Sequence, residues 1–547
     1  MVRRLVKNTI FFLYKKQESV LSAAGIIMVT VFLSRVLGLF RDRLLTGRFT
    51  PQELGIYFAA FRLPNLIFEL LIIGALATAF IPIFSSYLSE KKKKEAFIIA
   101  SSAINISSLI FLILAFPLLF FAQEISFLIA PGFSKSEIMM MADFTRIMIF
   151  AQVFPLVIGN FFTGILQSFN RFLIPALAPI VYNLGIIIGI VFLSPFLGLY
   201  GPVWGVVLGA FLFMIIQIPL ALSLGYHHSL IFDFHHPGVK EIGKLMLPRT
   251  LGLAVSQIDT TVDLILASFL GARSVAIFNF AQHLQQLPIG LFGAPIAQAS
   301  FPLLSRVSNQ QSLEEFKQNL LNAFHQILFL VLPSSVILIV LRIPLVRLIF
   351  GAARFDWEAT ILTGQTLAFF SLSLFAQSLI HLLTRGFYAL HDTKTPVRIG
   401  ALCVFINTIL SIWFVKFLFL PVYALGFSTS IASILNFLLL LAFLDQKLKG
   451  FNKAKLFWPA LKILIASVIT GFCLYLPMKL LDQLVFDTTR TLNLIFLTGI
   501  AGFCGLGCYL FLAWFLEIKE VGTFLNLIKK LTKIRKVFFE TLDEASW

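Results

Sequence analysis

The sequence predicts an all-α polytopic membrane protein of about fourteen transmembrane helices, and three observations predict it. Of 547 residues, 59% are hydrophobic and only 13% charged. That is about half the charged share of an ordinary soluble domain, too little polar material to cover a soluble core of this size. Apolar runs recur at lengths near 20–25 residues, enough to cross roughly 30 Å of hydrocarbon as helix. Spans of a β-barrel would be shorter and would alternate in polarity, a pattern this chain lacks.

In chain order the runs fall near 21–41, 56–82, 96–121, 138–166, 173–194, 202–224 and 243–269, then 275–303, 319–341, 359–384, 396–416, 421–443, 457–478 and 491–515. An even number of spans puts both termini on one side. That side collects the basic N-terminal tail, SEKKKKEAF (Ser89–Phe97), SFNRF (Ser168–Phe172), the 225–242 linker, HDTKTPVR (His391–Arg398), DQKLKGFNKAK (Asp445–Lys455) and the basic C-terminal tail. The richer side in Lys and Arg is the cytoplasmic one, so both termini are expected in the cytoplasm. Arg41–Arg48 is an outward exception with three arginines. The net charge of +17 is spread over short loops, which suits an anionic membrane surface and not nucleic acid. The four cysteines lie inside apolar runs, which indicates neither a disulfide framework nor a zinc site.

The chain also echoes itself. SRVLGL (Ser34–Leu39) resembles PRTLGL (Pro248–Leu253), and ALATAFIPIFS (Ala75–Ser85) resembles PIAQASFPLLS (Pro295–Ser305). Arg35 and Arg249 share a 214-residue offset with Arg171 and Arg385. Six helices separate the equivalents, so the halves keep one orientation, as in a parallel repeat. The expected organisation is an N-terminal lobe over 1–224 (helices 1–6), a cytoplasmic linker over 225–242, a C-terminal lobe over 243–443 (helices 7–12), helices 13–14 over 457–515 and a basic cytoplasmic tail over 516–547. The paired histidines of the linker lack a metal-ligand spacing, and Phe232 and Phe234 suit it to lie along the membrane surface.

Charges inside the spans carry the functional reading. A charge near mid-bilayer costs about 2.5–3.5 kcal/mol on insertion scales and normally faces a bundle interior or a wet cavity. Arg35 and Asp42 share one face of helix 1, with Arg41 beside Asp42. Arg249 lies early in span 7. Arg62, His283, Gln282, Asp259 and Asp263 are further candidates for such a cavity, and Asp259 and Asp263 stand one turn apart. Two readings apply to the arginines at the helix 1 end: interfacial anchors that snorkel, or a positive cavity for an anion. Recurrence at equivalent repeat positions favours the cavity for Arg35 and Arg249, and the guanidinium fork fits phosphate oxygens. Prolines and glycines cluster in spans 2 and 8, predicting that these two bend together. No Walker loop, HExxH or GxSxG occurs, so energy must come from a gradient or the membrane potential. The residues alone point to an alternating-access transporter of an anionic substrate.

SRVLGLFRD (Ser34–Asp42), FRLPN (Phe61–Asn65), FTGILQSFNRFLIPALAPIVYN (Phe162–Asn183), LPRTLGLAVSQID (Leu247–Asp259) and RGFYALHDTKTP (Arg385–Pro396) together resemble the MurJ/MviN family of lipid II flippases, in order over about 400 residues. The resemblance implies a non-enzymatic flippase of the bacterial cytoplasmic (inner) membrane. Its cargo would be the undecaprenyl-pyrophosphate-linked disaccharide-pentapeptide precursor of peptidoglycan. Arg35, Arg41 and Asp42 match the family's helix 1 residues that engage or gate around the pyrophosphate, and spans 13 and 14 match its lipid-tail groove. It implies no cofactor, a link to membrane potential or sodium, and other cell-wall synthesis proteins of the membrane as partners. The chain departs from the family pattern where arginines are usual, at Phe68 and His283, and where acids are usual, at Gly55 and Ile73. Arg62, Arg249 or protonated His283 would then supply the positive charge. An exporter of another polyprenyl-pyrophosphate-linked glycan is the alternative, ahead of a multidrug exporter or a non-transporting scaffold.

Overall fold

A computed structural model describes residues 20–70, 79–149, 153–309, 312–484 and 490–522. Among these the chain is helical, with no strand. Among the described residues nine helices are long and apolar enough to cross a membrane. Trp357–Ser371 and Leu374–Ala389, bent by 43° across a short break, make a tenth when taken as one span. Expected spans 2 and 4 run through residues 71–78 and 150–152, outside the described residues. Both tails, 1–19 and 523–547, also lie outside them.

The chain forms two compact units. The first combines residues 1–279 with Ile349–Thr360 and Val415–Val422. It therefore holds residues 243–279, a stretch that the sequence repeat groups with the second half. The helices of this unit are α1 (Val20–Arg48), α2 (Pro51–Ala60), α3 (Arg62–Phe68), α4 (Ile81–Ser89), α5 (Lys93–Phe120), α6 (Ala122–Ile129), α7 (Lys135–Met148), α8 (Phe154–Ser168), α9 (Leu173–Ile188), α10 (Tyr200–Ile215), α11 (Ile218–Ser223) and α12 (Pro237–Phe269).

Local chemistry sets the breaks. After α1, Thr50 caps α2 reciprocally: its side chain accepts the Glu53 N–H while Glu53 accepts the Thr50 N–H at 2.8 Å. Proline follows at the first helical position, where its missing N–H costs nothing. Ser134 and Glu137 repeat this capping box at α7. α9 and α10 pack through glycines: an added methyl at Gly185 or Gly189 would run into the backbone of Gly209 or Gly205. Small residues four apart let two membrane helices approach this closely, and van der Waals contact then replaces the missing hydrophobic drive. This packing fixes the face of α9 that carries Tyr182 and Asn183.

The second unit comprises Phe280–Leu348, Ile361–Phe414 and residues from Tyr423 onward. Its long helices include Leu313–Val340, Lys394–Ile412, Tyr423–Lys447, Lys453–Leu484 and Thr491–Phe515. Expected span 8 is interrupted by a π-helical turn at Ile289–Gly293, between Ala272–Pro288 and Ala294–Asn309, where Gly290 and Gly293 loosen the ladder. Two further π turns, Gly189–Leu193 and Trp413–Phe417, fall near the ends of spans 5 and 11, which the repeat would make equivalent. In the same unit Leu341, Leu474 and Ala501 form a small core joining the last two helices to the helices before them.

Candidate functional site

The site is built on the second half of α1, the expected first span, where Arg35 and Arg41 are placed in contrasting ways. Arg41 is one-fifth exposed and Asp42 is buried. The Arg41 Nε and Nη2 donate to one Asp42 oxygen at 3.0 and 2.7 Å. Its Nη1 donates to the Asn183 side-chain oxygen at 3.0 Å. Asn183 in turn donates to the Pro179 carbonyl at 3.1 Å and to the Ser34 hydroxyl at 3.4 Å. Three of the five donors on Arg41 are thus aimed at fixed oxygens of the protein. A buried charge survives in a low-dielectric setting when its counter-charge and its hydrogen bonds are both present.

Arg35 is placed differently. It is exposed and lines a cleft of ≈ 250 Å³. Ser34, Gln167 and Phe172 share the lining with it, as do Pro175 and Pro179 of α9. Among the described residues Arg35 makes no ion pair. A free guanidinium with a hydroxyl and a carboxamide beside it offers forked N–H donors to a phosphate-like anion.

Arg62 is buried and committed to α12. Its Nε donates to the Thr261 hydroxyl at 2.9 Å, and its Nη2 donates to the Gln257 carbonyl and side-chain oxygens at 2.5 and 2.8 Å. The Gln257 amide donates on to Glu69. Asp263 is buried close enough to act electrostatically on Arg62, while Asp259 is half-buried one turn before it. Arg62 therefore sits inside a hydrogen-bonded seam that ties α3 to α12. Arg249 lies on α12 with its side chain outside the described residues. In the second unit Gln282 and His283 are half-buried, and His283 meets the Phe280 ring edge-on at 6.4 Å. Phe68, where the family usually has arginine, is half-buried against the cluster of Leu156, Ala178, Ala210 and Phe213.

The sequence reading did not single out Asn183 and Gln257, the two carboxamides that hold Arg41 and Arg62. Each is a lone amide within an apolar or mixed span, a signal that could have flagged both. Among the described residues no group of three or more His, Cys, Asp or Glu could hold a metal ion.

Residues 52–492 match the family model described as "MurJ: Lipid II flippase MurJ". This chain belongs to the lipid II flippase MurJ family. A MurJ relative from Buchnera aphidicola subsp. Baizongia pistaciae, named a probable lipid II flippase, is 28% identical over 455 residues, covering 82% of this chain and 88% of the relative. The lipid II flippase MurJ of Burkholderia cenocepacia is 29% identical over 440 residues, covering 78% and 83%. A solved MurJ structure in an inward closed conformation superposes with a TM-score of 0.74 at 28% identity, covering 90% of this chain and 98% of that one. An inward-facing multidrug resistance MATE transporter matches at TM-score 0.63 and 16% identity over 76% of this chain and 94% of its own, a likeness of fold alone.

Proposed function

We propose that this MurJ-family chain flips lipid II across the cytoplasmic membrane, as a multi-pass transporter and not an enzyme. The family match across most of the chain carries this reading, and the exposed Arg35 cleft supports it at the level of chemistry. In the proposed mechanism Arg35 meets the pyrophosphate while the polyprenyl tail stays in lipid. Arg41, held by Asp42 and Asn183, keeps a positive field beside that path without leaving its own partners. Arg249 would add the corresponding charge from the second sequence repeat.

The finer parts of the proposal are fourteen spans in two six-helix repeats plus a lipid-tail pair, and both termini in the cytoplasm. The remaining parts are drive by membrane potential or sodium, and association with other cell-wall synthesis proteins of the membrane. A rocking cycle is supported by contacts among connections expected on the outer side, all within the first unit. The Arg354 N–H donates to the Thr46 carbonyl at 3.2 Å. Arg273 reaches Asp356 at 2.6 Å and Glu358 at 2.9 Å, and its backbone N–H donates to Gln52 at 3.2 Å. These are the contacts that an outward-opening step would break.

A second reading, export of another polyprenyl-pyrophosphate-linked glycan, is favoured by one observation: Phe68 packs in an apolar cluster where the family usually has a charge. The deciding experiment reconstitutes the full chain in liposomes with defined lipid-linked substrates, with and without an imposed potential. Lipid II flipping that depends on Arg35 is expected. Transport of a different glycan lipid and none of lipid II would replace the reading with the second one.

A further inference from the structure

The connection between α11 and α12 does not simply cross the surface. α11 ends at Ser223, and two residues on Gly225, with a φ of +84°, turns the chain back toward the lysine run at the start of α5. A Cβ added at Gly225 would come within 3.5 Å of Lys93 Nζ. From there residues 226–233 run along α5 and then return. The Tyr226 ring is buried edge-on against Phe97, and its hydroxyl lies 3.2 Å from Ser101 Oγ and 3.0 Å from His228 Nδ1. Further along, the Asn105 amide donates both its hydrogens, to the Ser229 and Ile231 carbonyls, each at 2.9 Å. The Asp233 N–H then returns to Ser102 Oγ at 3.4 Å. Asp233 caps the next turn by accepting the N–H groups of His235 and His236 at 3.0 and 2.9 Å. Gly238 ends the excursion against Ile99.

The deepest point, at Asn105, is twelve residues from Lys93, about 18 Å along an α-helix. The stripe of α5 that holds the strap reads Ser101, Ser102 and Asn105. One turn on, the same stripe continues as Leu109, Leu112 and Phe116, all exposed, as a lipid-facing stripe should be. The strap therefore covers the polar part of a stripe whose remainder is apolar and exposed. Non-helical backbone persists at membrane depth only where protein satisfies its polar groups, and Asn105 satisfies two carbonyls here. Residues 227–232 are all exposed, and the apolar side chains of the segment lie outward: Leu230 is 84% exposed, Ile231 37%, Phe232 48% and Phe234 51%. The Lys91–Lys94 run, lying at the level where the strap begins, marks the headgroup region.

We propose that residues 225–236 form a re-entrant strap immersed in the leaflet at the Lys91–Lys94 end of α5, with Leu230, Phe232 and Phe234 seated among phospholipid acyl chains. The occupant of this apolar strip is lipid because it continues the exposed stripe of α5 and lies below a cationic rim. The proposal concerns the linker's setting and stands whichever glycan is carried.

The test places a tryptophan in the strap of the full chain. Phe232→Trp protein is reconstituted in phosphatidylcholine–phosphatidylglycerol liposomes, and its emission is compared with that of the parent under two quenchers. Acyl-brominated phosphatidylcholine is expected to quench the added emission at least about twofold, as for a side chain buried at the headgroup–acyl boundary, while aqueous iodide leaves it unchanged. In the Phe232→Trp/Asn105→Ala protein the strap loses its deepest hold, so lipid quenching falls and iodide quenching appears. Iodide quenching without lipid quenching in the single variant would overturn the proposal. Protection from both quenchers in a protein that runs as a dimer would also overturn it, because a second copy would then cover the strip. Unchanged quenching on Asn105→Ala would overturn the role given to Asn105.

Discussion

Arg35 and Arg41 stand six residues apart on one helix, yet the structure treats them as opposite kinds of charge. Arg41 is largely buried, paired with Asp42 and hydrogen-bonded to Asn183. Arg35 is exposed in a cleft, with no ion pair among the described residues. The difference teaches that arginine in a membrane helix is no single signal. One guanidinium has its Coulomb partner built into the protein and serves the fold. The other has no ion pair among the described residues, and the proposed function assigns it a partner from outside the protein. Arg62 belongs with Arg41: its donors are taken by Thr261 and Gln257, so it fixes helix to helix.

The sharpest way to break this contrast is to remove the built-in partner. Asp42→Ala strands the Arg41 charge and should destabilise the protein by about 3–5 kcal/mol, seen as a clear drop in thermal midpoint and in folded yield in detergent. A midpoint within error of the parent would move Arg41 into the same class as Arg35. Removing the exposed charge should do the reverse. Arg35→Ala should leave the midpoint unchanged and cut the affinity for a pyrophosphate lipid roughly ten- to hundredfold, the value of charge-assisted hydrogen bonds. Unaltered binding, measured by lipid titration in nanodiscs, would remove Arg35 from the site. Asn183→Leu tests the intermediate case. It deprives Arg41 of one acceptor only, and a loss of about 1–3 kcal/mol in stability is expected.

The smallest effect belongs to a charge pair outside the spans. Asp392, in the turn before Lys394–Ile412, accepts from Lys447 at 2.6 Å and from the Thr395 hydroxyl at 2.8 Å and backbone at 3.0 Å. Burial opposes its ionisation, but the bonds from Lys447 and Thr395 outweigh it and hold the carboxyl down at about 2, from 3.8. A folded value below the unfolded one stabilises above the unfolded value, so the contribution is complete above about pH 4 and is lost as the pH falls toward 2. Asp392→Asn should flatten the stability profile in that window and cost less than about 1 kcal/mol at neutral pH. A profile identical to the parent between pH 4 and 2 would show that Lys447 and Thr395 do not hold the carboxylate in solution.

Much of the architecture was legible without coordinates. The helical class follows from run length and polarity, because hydrocarbon forces the backbone to satisfy itself within a helix. The interruption of span 8 at Ile289–Gly293 follows from Gly290 and Gly293, whose preferences are local. Arg35, Arg41 and Asp42 stood out because charge is expensive in lipid. The roles of Asn183 and Gln257 were not legible, since an amide's importance depends on which arginine reaches it from a helix 142 or 195 residues away in the chain. Nor was the polar stripe of Ser101, Ser102 and Asn105, which reads as ordinary small and polar residues until the linker is seen lying on it.

The sequence by itself determined that this chain spans membranes as helices, carries costly arginines on its first span and resembles lipid II flippases, because hydropathy, helix punctuation and the cost of charge act on neighbouring residues. Tertiary structure alone decided which arginine is paired and which is open, and where the linker rests. Those outcomes depend on distances between residues far apart in the chain, as where glycine-mediated packing of Leu173–Ile188 on Tyr200–Ile215 holds the helix that carries Asn183.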